Sequence, residues 1–147
     1  MNDRDTPAAP SADPAAALDA LVGEWLTLPD VAEALGTDVG KVRRILQDRR
    51  VVGVKRGERT TFQVPARFLV PLHLVDPANA GRPSDDGRRG VLASLQGTIV
   101  VLTDAGFTDP EILAWLFSPQ EELGEAPLDA LLAGRKAHVR RIAQSLA

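Results

Sequence analysis

Residues 25–65 read WLTLPDVAEALGTDVGKVRRILQDRRVVGVKRGERTTFQVP, and the fold is decided within this run. Its first half places apolar side chains at helical spacing in two bursts. Val31, Ala32 and Leu35 form one; Val39, Val42, Ile45 and Leu46 form the other, with Gly36 between them. Thr27 is placed to cap the first helix, with Pro29 in the first turn and Asp30 complementing the helix N-terminus. Thr37 or Asp38 caps the second. Two helices joined by so tight a turn make a helix-turn-helix. The second half changes period. Val51–Val54 and Thr60–Val64 are β-branched runs flanking a hairpin turn at Lys55-Arg56-Gly57-Glu58, and Pro65 stops the second strand. This is a small two-stranded wing.

Charge is concentrated on the same stretch. Between Lys41 and Arg67 lie nine cations (Lys41, Arg43, Arg44, Arg49, Arg50, Lys55, Arg56, Arg59, Arg67) and two acids (Asp48, Glu58). That is 9 − 2 = +7 in a chain of formal charge −3, so the remainder sums to −10. Such segregation is the footprint of a polyanion site. On the second helix, Lys41, Arg43, Arg44 and Gln47 fall opposite or beside the apolar arc. An Arg can grip guanine and a Gln adenine in a bidentate manner, so Arg44 and Gln47 are the candidate base readers. Lys41 and Arg43 are the candidate phosphate contacts at the groove, and Lys55, Arg56 and Arg59 those on the wing; Thr37, at the start of the helix, is a further candidate DNA-binding residue. A solvated helix face and a cation-protected hairpin edge are the plainer readings of these charges. The two motifs in direct succession favour double-stranded DNA.

Outward from this unit, residues 1–14 form an acidic, Pro- and Ala-rich tail that cannot bury enough surface to order itself. A helix from Pro14 to Val22 precedes the helix-turn-helix, giving a winged unit over 15–75. The turn-rich stretch DPANAGRPSDDGRRG makes 76–88 a linker. Residues 89–147 read as a helical domain. A helix from about Asp86 to Ala105 carries Val91, Leu92, Leu95, Ile99 and Leu102. Thr108-Asp-Pro-Glu111 is a capping box for the next. Short helices follow over Pro127–Leu132 and Arg135–Leu146, with Gly134 between them. The fold class is therefore mainly α: a winged helix-turn-helix with a two-stranded wing, then a C-terminal helical domain.

At 147 residues and 44% apolar, the chain can bury one modest core or two small ones. It has no cysteine, which excludes disulfides and thiolate metal sites. His73 and His138 stand far apart, and there is no phosphate-cradling Gly-rich loop, nucleophile elbow or metal-ligand spacing. We expect no enzyme and no cofactor or metal. No apolar run approaches a membrane span and the start lacks signal-peptide features, so a cytoplasmic protein without membrane contact is expected.

The rhythm Leu26-Thr27, Val31-Ala32, Leu35-Gly36, Val42-Arg43-Arg44 resembles the winged helix-turn-helix of the MerR and excisionase superfamily. Over nearly its whole length, including EILAWLFSPQEELGEAPLDALLAGRKAHVRRIAQSLA, the chain resembles a family of small actinobacterial DNA-binding proteins. The resemblance implies DNA docking. It also implies control by a Ser/Thr protein kinase, since mycobacterial members of that family are kinase substrates. Thr6, followed by Pro7, is the candidate phosphorylation site, with Ser11 a second accessible hydroxyl. The run from Ala114 to Val139 is similar to the toxin-binding helical domain of certain antitoxins, which implies a protein partner at the C-terminal domain; the plainer reading is that Trp115, Leu116 and Leu131 are the core of a small bundle. An antitoxin-like or kinase-linked adaptor is the alternative function.

Overall fold

The computed structural model describes residues 14–57, 61–77, 80–82 and 87–146. Its order is α1 (Pro14–Val22), β1 (Trp25–Thr27), α2 (Leu28–Leu35), α3 (Val39–Gln47), β2 (Val54–Arg56), β3 (Thr61–Pro65), β4 (Leu69–Pro71), β5 (Arg89–Val91), α4 (Leu95–Asp104), α5 (Asp109–Phe117), α6 (Pro127–Leu132) and α7 (Lys136–Gln144). Short 3₁₀ turns at Ala66–Phe68 and Leu72–Leu74 flank β4. The expected class holds: a winged helix-turn-helix is followed by a helical C-terminal region.

Local chemistry sets the helix ends. The Thr27 side chain accepts from the Asp30 backbone while the Asp30 carboxylate accepts from the Thr27 N–H, a reciprocal capping box. Gly36 ends α2 at φ 69, a left-handed conformation that glycine adopts without steric cost. Asp38, rather than Thr37, caps α3, its Oδ1 accepting from the Lys41 N–H at 2.9 Å.

A second capping box opens α5, where Thr108 donates its N–H to Glu111 at 2.8 Å. That backbone bond, helped by the Thr108 hydroxyl, holds the Glu111 carboxyl below its ordinary 4.5. A lowered folded value means the Glu111 contribution is present above the ordinary pKa and fades as pH falls through the folded one. Separately, Thr108→Ala removes the cap hydroxyl that accepts from the Glu111 N–H and should cost about 1 kcal/mol in thermal melts at neutral pH, as loss of a threonine cap does. Glu111→Gln, which keeps an acceptor, should cost less and flatten the acid limb of the stability profile.

The wing is larger than expected. β3 is central in a three-stranded antiparallel sheet of order β1-β3-β2, with Leu26 opposite Val64 and Lys55 opposite Phe62. Val51 and Val52, expected as strand, are instead buried in the core before β2 begins. Gly53 presses so close to the Gln63 carbonyl and Phe62 ring that no Cβ fits. Since Lys55 and Arg56 are paired strand residues, the hairpin turn begins at Gly57, later than the sequence reading placed it.

The expected helix from Asp86 also changes. Arg89–Val91 is a strand, pairing with Leu69–Pro71 so that Val70 faces Gly90, and α4 starts only at Leu95. A Cβ on Gly90 would come within 2.5 Å of Val75 Cγ2, so this close approach requires glycine. Because Val91, Leu92 and Leu95 all face the core, the strand imitates the helical rhythm.

One buried cluster runs through both halves, from Leu18 and Val22 on α1 through Val42, Val64 and Phe68 to Ile99, Leu113, Leu131 and Val139. α1 packs on α5, and α4 on α7. No helix among the described residues is long and apolar enough to cross a membrane.

Candidate nucleic-acid interface

α3 buries Val42 fully and half-buries Val39, Ile45 and Leu46, leaving an exposed arc of about 160°. Lys41, Arg43, Arg44 and Gln47 all lie on it. Among the described residues, none of the three cations has an ion-pair partner. α2 packs against α3 and anchors it through Val31 and Ala32, both buried, so the exposed arc is held at a fixed orientation. Thr37 is half-buried beside this arc. It lines a depression of about 320 Å³ together with Leu35, Lys41, Arg44, Ile45, Asp48 and Arg50. The structure thus brings Thr37, Lys41 and Arg44 together and adds Arg50, which the sequence reading left out. The Arg50 N–H donates to the Ile45 carbonyl at 3.1 Å, folding the chain back after α3. That return was not visible as a periodic signal.

The wing cations part company. Lys55 is exposed on β2, whereas Arg56 is turned into the protein. Its guanidinium carbon sits 4.3 Å from the Trp25 ring centroid, Nη1 donates to Gln63 Oε1 at 2.9 Å, and Nη2 pairs with Asp19 of α1. Arg56, expected at a phosphate, is placed by the structure as a clamp of the wing on α1. Arg59 and Thr6 lie outside the described residues.

Two further cations of the basic stretch are likewise committed. Arg49 donates to Thr103 Oγ1 and pairs with Asp109, both at 2.9 Å, and it does so from a left-handed backbone at φ 61. Arg67 pairs with Asp129 and lies over the Phe117 ring. Gln96 adds a bond to the Asp48 carbonyl at 2.8 Å. Among the described residues of the basic stretch, three side chains therefore brace the fold, and the outward charge belongs to Lys41, Arg43, Arg44 and Lys55, with Arg50 half-exposed beside them. A separate cavity of about 380 Å³ between Glu24, Asp30, Arg67 and Arg89 carries both signs of charge. Its mixed walls suit no polyanion. No cluster of metal-ligating side chains occurs among the described residues.

A braced helix pair, a basic exposed arc and an adjoining antiparallel wing define a winged helix-turn-helix protein. Residues 13–69 match the family model described as the wHTH domain of DNA-binding protein Rv2175c, and residues 92–147 match the Rv2175c C-terminal domain of unknown function. The DNA-binding protein Rv2175c of Mycobacterium tuberculosis is 33% identical over 132 residues, spanning 82% of this chain and 78% of the relative. The NMR structure of Rv2175c superposes with a TM-score of 0.64 at 31% identity, covering 84% of this chain and 81% of the other. The chain belongs to the Rv2175c family.

Proposed function

We propose that the protein binds double-stranded DNA and acts as a transcriptional regulator, with α3 in the major groove and the wing on the backbone. The observation that carries this reading is the α3 arc, where Lys41, Arg43, Arg44 and Gln47 are exposed side by side. A groove about 12 Å wide admits one helix, and this helix presents no other face to solvent. Arg44 and Gln47 reach base edges; Thr37, Lys41, Arg43 and Arg50 hold the flanking phosphates. On the wing, Lys55 and Arg59 meet the backbone while Arg56 keeps the hairpin in place. Residues 15–75 form the docking unit and 89–147 the helical unit that supports it. The name of the relative, a DNA-binding protein, supports the same assignment.

Regulation is assigned to the tail. Phosphorylation of Thr6 by a Ser/Thr kinase adds roughly −1.5 to −2 charges, which compete with DNA for the basic arc.

The test is salt dependence. With about five phosphates neutralised, the slope of log Kobs against log salt should be near −4 to −5. Fluorescence anisotropy on mixed-sequence duplexes measures it directly. A slope near zero would overturn DNA binding.

A further inference from the structure

The C-terminal half separates its charges along the sequence. From Leu92 to Gly134 there are seven carboxylates and no cation; from Arg135 to Ala147 there are four cations (Arg135, Lys136, Arg140, Arg141) and no carboxylate. Self-neutralisation does not account for this. Among the described residues, only Arg135 pairs with a carboxylate of its own half, Glu125, while Asp109 and Asp129 are taken by Arg49 and Arg67. Lys136, Arg140 and Arg141 are exposed and have no ion-pair partner among the described residues.

Helix energetics do not account for it either. Cations are favoured at a helix C-terminus, which suits Arg141 in the last turn of α7. Lys136 opens the helix, where a cation is disfavoured, and no acid accompanies it in the first turn. The buried side of α7 is Val139 and Ala143; exposed Lys136 and Arg140 flank that side, and exposed Arg141 lies opposite it.

Position gives the face its meaning. The Arg140 guanidinium lies directly on Gly97 of α4, where no Cβ fits beneath it. The preceding residue, Gln96, donates to the carbonyl of Asp48 at the end of α3. One turn of α4 therefore joins Arg140 of α7 to the end of α3.

We propose that Lys136, Arg140 and Arg141 form a second phosphate-binding surface, which extends the DNA footprint beyond the groove and wing contacts. The inference rests on the DNA-binding reading above and gives the C-terminal region a task. The ligand is the duplex backbone, recognised by charge alone, so this surface adds affinity without sequence preference.

The experiment compares full-length wild type with Lys136→Ala/Arg141→Ala, whose side chains are exposed and hold no described polar partner. A mixed-sequence duplex of about three helical turns serves as the probe. Removing two phosphate contacts should lower the magnitude of the salt slope by about 2, and weaken binding by a factor on the order of ten to a hundred at 0.1 M salt. Arg140→Lys/Arg141→Lys, which keeps the charge, should bind like wild type. On a duplex of about one turn, wild type and the alanine variant should be indistinguishable, because the added surface has no phosphate to reach. An unchanged slope and affinity on the long duplex, beside a large loss for Lys41→Ala/Arg44→Ala, would overturn the inference, leave the first reading standing and assign the face to an acidic protein. Absence of salt-dependent binding by wild type would remove both.

Discussion

Phe68→Ala is expected to cost about 3–5 kcal/mol, the range for deleting a fully buried aromatic ring. Phe68 is completely buried in the 3₁₀ turn between the wing and β4, and its ring stands 5.8 Å from that of Phe117 at the end of α5. Its carbonyl accepts from the Leu92 N–H at 3.1 Å. The side chain thus fills the seam between the winged half and the helical half. Each kcal/mol lowers the thermal midpoint by about 2–4 °C in a chain of this size, so a fall of roughly 10 °C is expected. Urea unfolding should show a lower midpoint with an unchanged slope, and a single transition by tryptophan fluorescence and circular dichroism alike. If the winged half melts separately while the C-terminal helices persist, the continuous core is not a cooperative unit.

The second large effect is on recognition. Arg44→Ala should weaken binding to a selected target duplex by about 1–3 kcal/mol and flatten the preference for that sequence. The physical reason is placement: Arg44 is exposed on α3 beside Gln47, over the depression shared with Thr37 and Lys41. Lys55 is proposed to meet only the backbone, so Lys55→Ala should weaken all sequences alike and reduce the salt slope by about 1. Arg56→Ala serves as the internal contrast. It loosens the clamp among Trp25, Gln63 and Asp19, so its primary effect is on wing stability. Binding preferences measured by competition between duplexes, alongside thermal melts, separate the three behaviours. Equal loss of preference from Arg44→Ala and Lys55→Ala would mean that α3 does not read bases.

Elements whose side chains repeat on one face were legible in the sequence. α1, α2, α3 and α6 follow from apolar periodicity and their bounding Pro, Gly and capping residues. The misses have physical causes. β1 is only three residues long, too short for alternation to register. β5 was absorbed into α4 because Val91, Leu92 and Leu95 reach the same core from a strand and a helix in succession. The displaced wing turn arose because Val51 and Val52 are β-branched for burial, not for pairing.

The candidate site divides in the same way. That α3 is basic on one side followed from spacing alone, since a helix wheel needs no tertiary information. The fate of each arginine did not. Arg49, Arg56 and Arg67 meet Asp109, Asp19 and Asp129, partners 60, 37 and 62 positions away. Only the fold brings such pairs together, so the sequence overstated the charge offered to DNA.

Arg49 is where α3 hands over to the rest of the molecule. A non-glycine residue at φ 61 stores strain of roughly 1–3 kcal/mol, held by Thr103 and Asp109 from the C-terminal half. This makes the end of α3 responsive to whatever happens at α4 and α5. If a ligand on those helices releases Asp109 and thereby weakens DNA binding by some factor, thermodynamic linkage requires DNA to weaken that ligand by the same factor. Under that linkage the contact would transmit both ways, and DNA occupancy would be read from the far side of the protein.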